Sequence, residues 1–409
     1  MQRPTELKVG LKEIQEARVV LSRYLPSSPL LQNAWLSEVY GCEIYFKMEN
    51  MQPIGSFKIR GATYKIACLD ADERKRGVIA ASAGNHAQGV AWGSRKLGVK
   101  ARIVMPKSAP IVKIQNTRAL GAEVLLEGDN YDEAYATAIR ISQETGAVYV
   151  HAFEDERVVA GQGTVALEIL EQLPDVDAVL SSIGGGGLMA GIALVMKDLR
   201  PGVKLIGCQA AGSPSMIESI RQGKAVKLDR ADTFADGIKV REASEAIRKI
   251  LAPRMDHMLQ ADDESIAAAV LAMMEKAKVI AEGAGALPLA VLDQLKSELK
   301  GKKVVLVVGG GNIDVNVLSR IIDRGLIRAG RRLRVNVLIS DLPGSLARLT
   351  ALIAQQEANI IQAIHDRNEP STQINQTEVE LTLETKGHEH SKEVIEALKR
   401  HVIRLVMVG

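Results

Sequence analysis

The stretch from Glu49 to Ala62, ENMQPIGSFKIRGA, sets Lys58 beside an aromatic ring, a small hydroxyl residue and two glycines. A lysine so placed can form a Schiff base with an aldehyde. Taken alone, a lysine next to a glycine and an arginine is far more often a solvated surface group, with Phe57 an ordinary core residue. Two distant stretches change that weighing: SAGNHAQG (82–89) and GGGGL (184–188) each read as a turn that opens a helix. A helix N-terminus offers unpaired amides to an anion. A lysine, a polar loop and an anion cradle are together the parts that hold pyridoxal phosphate.

The glycine run has a competing reading, because Gly185, Gly187 and Ala190 also satisfy a dinucleotide fingerprint. That fingerprint needs an acid at the end of the next strand to hold the ribose hydroxyls. Here the next strand, VKLIGCQ, ends at Gln209. Four consecutive glycines instead suit a backbone wrapped around a single phosphate.

These stretches need elements to position them. A charged helix over 10–24 is broken by LPSSPLL, after which strands and helices alternate. Strands are expected over 42–50, 77–83, 100–106 and 122–128, with helices over 57–70, 84–97, 113–120 and 131–145. A second block runs helix 163–173, strand 177–183, the glycine turn, a helix to Leu199 and strand 203–209. Helices over 243–251 and 263–281 follow, then the apolar strand KKVVLVVGGGNID (302–314). Alternation of this kind means parallel sheets, with ligand between two α/β lobes at the strand C-termini. At 325–337 the arginines Arg328, Arg331, Arg332 and Arg334 mark a solvated linker. Beyond it, strand 333–340, the turn DLPGS, helix 345–356, strands 359–367 and 377–385, helix 391–400 and strand 402–408 give a ferredoxin-like βαββαβ unit.

A chain of 409 residues implies two or three domains. Hydrophobic residues make up 46% against a net charge of +3, which describes a soluble globular protein with no nucleic-acid partner. The charged N-terminal stretch lacks the apolar run of a signal peptide or membrane span, so the expected location is cytoplasmic. Cys42, Cys68 and Cys208 fit no metal spacing and read as buried reduced thiols. His388 and His390 lack a third ligand nearby and read as a solvated turn.

SFKIRGA, SAGNHAQGVA, HAFEDERVVAGQGT, GGGGLMAGI and GGGNID, in this order and spacing, resemble the threonine dehydratase group of pyridoxal-phosphate enzymes. The resemblance covers residues 1–325 and implies the two-lobed tryptophan synthase β-subunit fold, fold type II, with a smaller lobe over about 50–149 inserted in the larger. After a linker over 326–332, residues 333–409 resemble an ACT domain, an amino-acid-sensing module. The resemblance makes Lys58 the Schiff-base lysine and general base, with Phe57 packed near the cofactor ring. It gives Asn85 the ring hydroxyl, and the phosphate to Gly184, Gly185, Gly186, Gly187 and Leu188. It assigns the substrate carboxylate to Ser82, Asn85 and His86. The implied reaction is the dehydration and deamination of L-threonine, through an imine that water hydrolyses, to 2-oxobutanoate and ammonia, with serine as a second substrate.

Four residues at three sites depart from relatives or decide among them. Ala83 stands where related racemases carry a serine, and alanine cannot donate a proton on the face opposite Lys58, which favours dehydration. Gly309 stands where relatives place a hydroxyl or thiol facing the pyridine nitrogen. Gln209 and Ser215 replace the carboxylates of a divalent-cation site, so no metal is expected. The rival readings are a serine or 3-hydroxyaspartate ammonia-lyase or racemase of the same fold, and a non-catalytic amino-acid sensor. The ACT resemblance implies a homodimer or tetramer and an amino-acid effector, isoleucine or valine, at the corner of Asp341, Gly344 and Asn359.

Overall fold

A computed structural model describes residues 4–367 and 372–407. Packing divides the chain into two compact units, Met1–Ile313 and Asp314–Gly409. The helix Val315–Arg328, which the sequence places with the catalytic part, groups with the second unit and packs on the strand that follows it. No helix among the described residues is long and apolar enough to cross a membrane.

The first unit contains strands β1 (Leu30–Gln32), β2 (Glu43–Lys47), β3 (Val78–Ala81), β4 (Ala101–Met105), β5 (Glu123–Leu126), β6 (Val148–Tyr149), β7 (Ala178–Ser182), β8 (Lys204–Ala210), β9 (His257–Ala261) and β10 (Lys303–Val307). They form a six-stranded sheet in the order β1-β2-β10-β7-β8-β9 and a four-stranded sheet in the order β5-β4-β3-β6. All pairings are parallel except β1 with β2. The run of valines and leucine in β10 lies between β2 and β7, where burial on both faces suits an uninterrupted apolar strand. Ser82, Gly184 and Gly309 all lie just beyond the C-terminal ends of their strands, which is where a doubly wound sheet exposes its loops.

Several elements differ from expectation: the helix expected over 163–173 begins at Glu156, and β1, β6 and the helices Ala34–Tyr40, Ala71–Arg76 and Ser215–Gln222 are not among those expected. β9 has no apolar run and only its last residue is buried, so alternation could not mark it. The long helix expected over 263–281 instead ends early. It runs Asp263–Ala272, passes into a π turn at Met273–Ala277 and stops at Lys278, which is left-handed with φ of 59°. The carbonyl of Ile280 beyond it accepts a hydrogen bond from Asn50 Nδ2 at 2.9 Å, which takes the chain out of helical geometry and delivers Glu282 to the site.

The helix that opens with Lys58, Lys58–Ala67, is held on two sides by close backbone approach. A Cβ at Gly161 would lie 2.7 Å from the Cα of Gly61, so the helix Glu156–Gln172 can approach only as glycine on glycine. Arg60, one turn inside the same helix, is 1% exposed and makes the deepest ionic contacts in the unit. Its Nε and Nη2 reach Glu49 at 2.7 and 2.8 Å, and its Nη1 and Nη2 reach Glu168 at 2.8 Å. Lys47, fully buried at the end of β2, reaches Glu168 at 2.8 Å, the Ser28 carbonyl at 2.7 Å and Gln172 at 2.9 Å. Arg18, partly exposed, adds a contact to Glu168 at 2.9 Å, so three cations meet these two buried carboxylates. Burial opposes the Glu168 carboxylate, yet hydrogen bonds and charge from Arg60, with Lys47 behind them, hold its pKa at about 2.

The second unit contains β11 (Arg332–Ser340), β12 (Asn359–Asp366), β13 (Gln376–Glu384) and β14 (Arg404–Met407), in an antiparallel sheet ordered β12-β13-β11-β14. The helices Ser345–Gln355 and His388–Lys399 fall where a βαββαβ unit requires them. Leu333, Val335, Val337 and Ile339 alternate inward from β11 onto Leu349, Ile353, Val394 and Leu398. His388 and His390 lie in the first turn of their helix rather than in a solvated turn before it. The His390 ring clips two backbone segments, with Nε2 against the Gln356 carbonyl at 2.6 Å and Nδ1 accepting from the Lys386 amide at 3.0 Å.

Arg60→Met should destabilise the protein by about 3–5 kcal/mol, because it strips buried Glu49 of its cationic partner and leaves Glu168 to Lys47 and Arg18. Urea denaturation measures this. The folded pKa of Glu168 lies below its unfolded value, so its contribution is present at neutral pH and is lost as pH falls from the unfolded carboxylate range towards about 2. Acid unfolding of the wild type should therefore steepen in that window.

Candidate functional site

The site is assembled around Lys58 by the Gly-rich turn after β10. The Phe57 amide donates to the Gly309 carbonyl at 3.0 Å, the Gly311 amide to the Gly55 carbonyl at 3.0 Å, and Ser56 bridges Gly310. Two short irregular stretches thus hold each other, and Lys58 follows at the first position of its helix. Its Nζ donates to the Ala152 carbonyl at 2.9 Å and lies 5.2 Å from the centre of the Phe57 ring. Burial pushes its pKa down to about 8, with the Glu282 carboxylate working in the other direction. A lysine poised there is a nucleophile and base near neutral pH.

Two helix N-termini present open amides. At the first, Ser82 Oγ accepts from the Gly84 amide at 3.2 Å and the helix Asn85–Leu97 follows. Its first backbone bond inside the turn is from Gln88 to Gly84, which leaves the amides of Asn85 and His86 open. The His86 ring is committed elsewhere. It is 4% exposed, its Nε2 lies 2.8 Å from the Val150 carbonyl, and burial together with the charge of Lys58 pushes its pKa down to about 3. What His86 can offer an anion is its backbone amide.

At the second N-terminus, the helix Gly187–Leu199 has no side-chain cap, and its first backbone bond runs from Ala190 to Gly186. Among the described residues, no protein acceptor takes the amides of Gly184, Gly185, Gly186, Gly187 or Leu188. The glycines themselves answer to packing as much as to an anion. A Cβ at Gly185 would lie 2.1 Å from the Phe153 ring, and Gly186 is left-handed with φ of 85°. Phe153 therefore backs the loop, a role its motif alone does not disclose.

Asn85 joins the two halves. Its Nδ2 donates to the Glu282 carboxylate at 2.9 and 3.1 Å, and its Oδ1 accepts from Asn312 Nδ2 at 2.8 Å. Asn312 lies in the GGGNID motif without a role assigned to it, and Glu282 carries no periodic or compositional signal, so sequence reasoning misses what both do. Gln209 is fully buried and saturated. Its Nε2 donates to the carbonyls of Ile183 at 3.0 Å and Ser213 at 3.3 Å, and its Oε1 accepts from the amides of Met216 at 3.0 Å and Ile217 at 2.8 Å. On the rim, Lys113 and Asp236 pair at 3.0 Å.

In the second unit, Asp341, Gly344 and Asn359 do not form one corner. Asp341 pairs with Arg367 at 3.0 Å and Gly344 precedes the helix Ser345–Gln355. Asn359 stands level with Glu384 and hence with Arg332, at the other end of β11. A nine-residue strand separates the two ends by roughly 27 Å at about 3.3 Å per residue.

A depressed lysine, a run of open amides on a helix N-terminus, and a carboxamide beside them fit an aldehyde cofactor with a phosphate tail. The fold and site define a lysine-anchored enzyme of the two-lobed α/β kind. The chain belongs to the family of pyridoxal-phosphate dependent enzymes, whose model matches residues 21–310. It is 47% identical over 401 residues to the L-threonine ammonia-lyase of Thermotoga maritima, spanning 97% of this chain and 100% of that one. The likeness to the L-threonine ammonia-lyase of Geobacter sulfurreducens is 46% over 387 residues, 94% of this chain and 96% of that one. Among solved structures, the processed threonine deaminase isoform 2 of Solanum lycopersicum matches with a TM-score of 0.73 at 36% identity, over 78% of this chain and 92% of that one. Maize serine racemase matches with a TM-score of 0.74 at 31% identity, over 78% and 98%.

The turn after β10 yields a paired prediction. A Cβ at Gly309 would meet Phe57 at an ordinary 3.4 Å, whereas one at Gly310 would lie 2.5 Å from Glu282 Oε1. Gly309→Ser should leave stability within about 0.5 kcal/mol and change turnover modestly. Gly310→Ser should cost about 1–3 kcal/mol by overpacking. Thermal melts and cofactor titration of both variants check this.

Proposed function

We propose that this chain dehydrates and deaminates L-threonine, the water lost in elimination being returned on hydrolysis of the resulting imine, to yield 2-oxobutanoate and ammonia, with serine as a secondary substrate. The observation that carries this reading is its likeness, over nearly its full length, to L-threonine ammonia-lyases. Pyridoxal phosphate supplies the electron sink that makes the α-proton acidic. Lys58 would hold the cofactor through its amine and, once freed, would serve as the base for the α-proton; burial, which pushes its pKa down to about 8, suits it to that role near neutral pH. Phe57 would pack near the cofactor ring, Gly309 would leave its nitrogen without a side-chain partner, and Asn85 would donate to its oxygen. Gly184 to Leu188 hold the phosphate through their amides. Ser82 Oγ and the amides of Asn85 and His86 take the substrate carboxylate, where the helix dipole adds to hydrogen bonding. Ala83 offers no proton to the opposite face, which supports elimination over racemisation.

Residues 333–409 act in this reading as an ACT domain that binds isoleucine or valine. The separation of Asp341 from Asn359 supports a site built from two copies. β12 is an edge strand exposed along its whole length, with Ile360, Ile361 and Ile364 open, a form that invites pairing with another strand. Antiparallel pairing of β12 with its symmetry mate would bring one copy's Asn359 to the other copy's Asp341 end.

Release of 2-oxoacid, assayed with threonine, serine and 3-hydroxyaspartate, should be fastest with threonine. Lys58→Ala should lower it by at least about 10² to 10⁴, and near-normal turnover in that variant would refute the assignment. Isoleucine should shift the apparent threonine affinity by about 5- to 150-fold, and calorimetry on the intact protein should register its binding. No amino-acid binding would leave the second unit a plain assembly module.

A further inference from the structure

Glu282 occupies the N-cap position of the helix Gly283–Ala290, yet its side chain makes no cap bond there. Its backbone is fixed instead: the amide donates to the Gly310 carbonyl at 3.0 Å, and its carbonyl accepts from Gly285 at 2.8 Å and Ala286 at 3.0 Å. The carboxylate turns away from the helix it precedes and into a slot bounded by Gly310 and Gly237, where a Cβ would lie 2.5 and 3.0 Å from Oε1. In that slot it takes Asn85 Nδ2 on both oxygens.

The chain of amides that ends there has a direction fixed at both ends. The Ile54 carbonyl can only accept, and it takes Asn312 Nδ2 at 2.8 Å; the second Asn312 N–H goes to Asn85 Oδ1 at 2.8 Å. The Glu282 carboxylate at the far end, when ionised, can also only accept. Asn85 is thereby held one way round, with its oxygen engaged and one N–H shared between the carboxylate oxygens. Its second N–H has no acceptor in the protein among the described residues. We propose that Glu282 is a positioning residue: by holding the Asn85 carboxamide in this orientation it keeps the second N–H aimed at the ring oxygen of bound pyridoxal phosphate. This rests on the reading of Asn85 as the partner of that oxygen.

Charge supports the same placement. Lys58, Lys113 and Asp236 face Glu282 from neighbouring elements, and burial pushes its carboxyl above the usual range. A carboxyl whose folded pKa is raised costs stability once pH rises through that value, so it is not retained for the fold's sake. Replacing it should stabilise the empty protein at neutral pH or leave it unchanged.

The test uses the full chain reconstituted with pyridoxal phosphate, as wild type, Glu282→Gln and Glu282→Asp. Aspartate keeps a carboxylate but withdraws it by one methylene, and serves if the glutamine variant does not fold. Expected are a visible absorption band whose pH midpoint moves down by about half a unit or more in Glu282→Gln, since a negative charge leaves the neighbourhood of a cationic nitrogen. Turnover should fall about 10- to 100-fold, the scale of a misplaced reacting group, with KM for the amino acid little changed and the melting temperature not lowered. An unmoved band with a lowered melting temperature would show a merely structural role and overturn the proposal, as would variants indistinguishable from wild type. A wild type that takes up no cofactor would overturn it together with the site reading it rests on.

Discussion

A single guanidinium carries much of the architecture. Arg60 lies two residues beyond Lys58 and is gripped by Glu49 on one side and Glu168 on the other. Those carboxylates belong to the segment after β2 and to the helix that packs backbone to backbone against the Lys58 helix. Buried ion pairs of this kind are no bargain in free energy, because desolvation offsets their attraction. What they confer is geometry: a planar fork that accepts bidentate partners in few orientations fixes the rotation of the helix about its axis. The direction in which Lys58 leaves the backbone follows from that rotation.

From this anchor the site grows by mutual support among irregular stretches. The turn after β10 pairs with the segment before Lys58, Asn312 and Glu282 orient Asn85 from opposite sides, and Phe153 backs the glycine run. Few of these contacts lie within a regular element, yet each irregular stretch is held by a neighbour emerging from a strand end. Doubly wound sheets place their chemistry at that edge because adjacent loops there converge from different parts of the chain.

How much of this was legible in the sequence depends on whether a residue's role was local. Lys58, the glycine run and SAGNH were readable because helix N-termini and strand ends have short-range signatures. The apolar strands of the larger sheet were equally plain. Glu282 was not, because the π turn and the left-handed Lys278 that deliver it break a segment whose composition reads as continuous helix. Arg60, Lys47 and Glu168 were missed for a related reason: each is a charge set in an apolar stretch, and only the fold reveals that they meet. His86 was assigned by its motif, but the buried contact of its ring with Val150 leaves only its amide for the site. The corner of Asp341 and Asn359 failed on register, since a helix intervenes and the next strand restarts at the far end of the sheet.

Gln209 spends every hydrogen bond it owns on backbone, joining Ile183, at the root of the glycine run, to the start of the next helix. A carboxamide does there, with neutral atoms, what a coordinated ion would otherwise do by charge: it gathers carbonyls and amides around one point. Such a brace has no occupancy to lose. The shape at the base of the glycine run is thus set when the chain folds rather than by anything that later arrives.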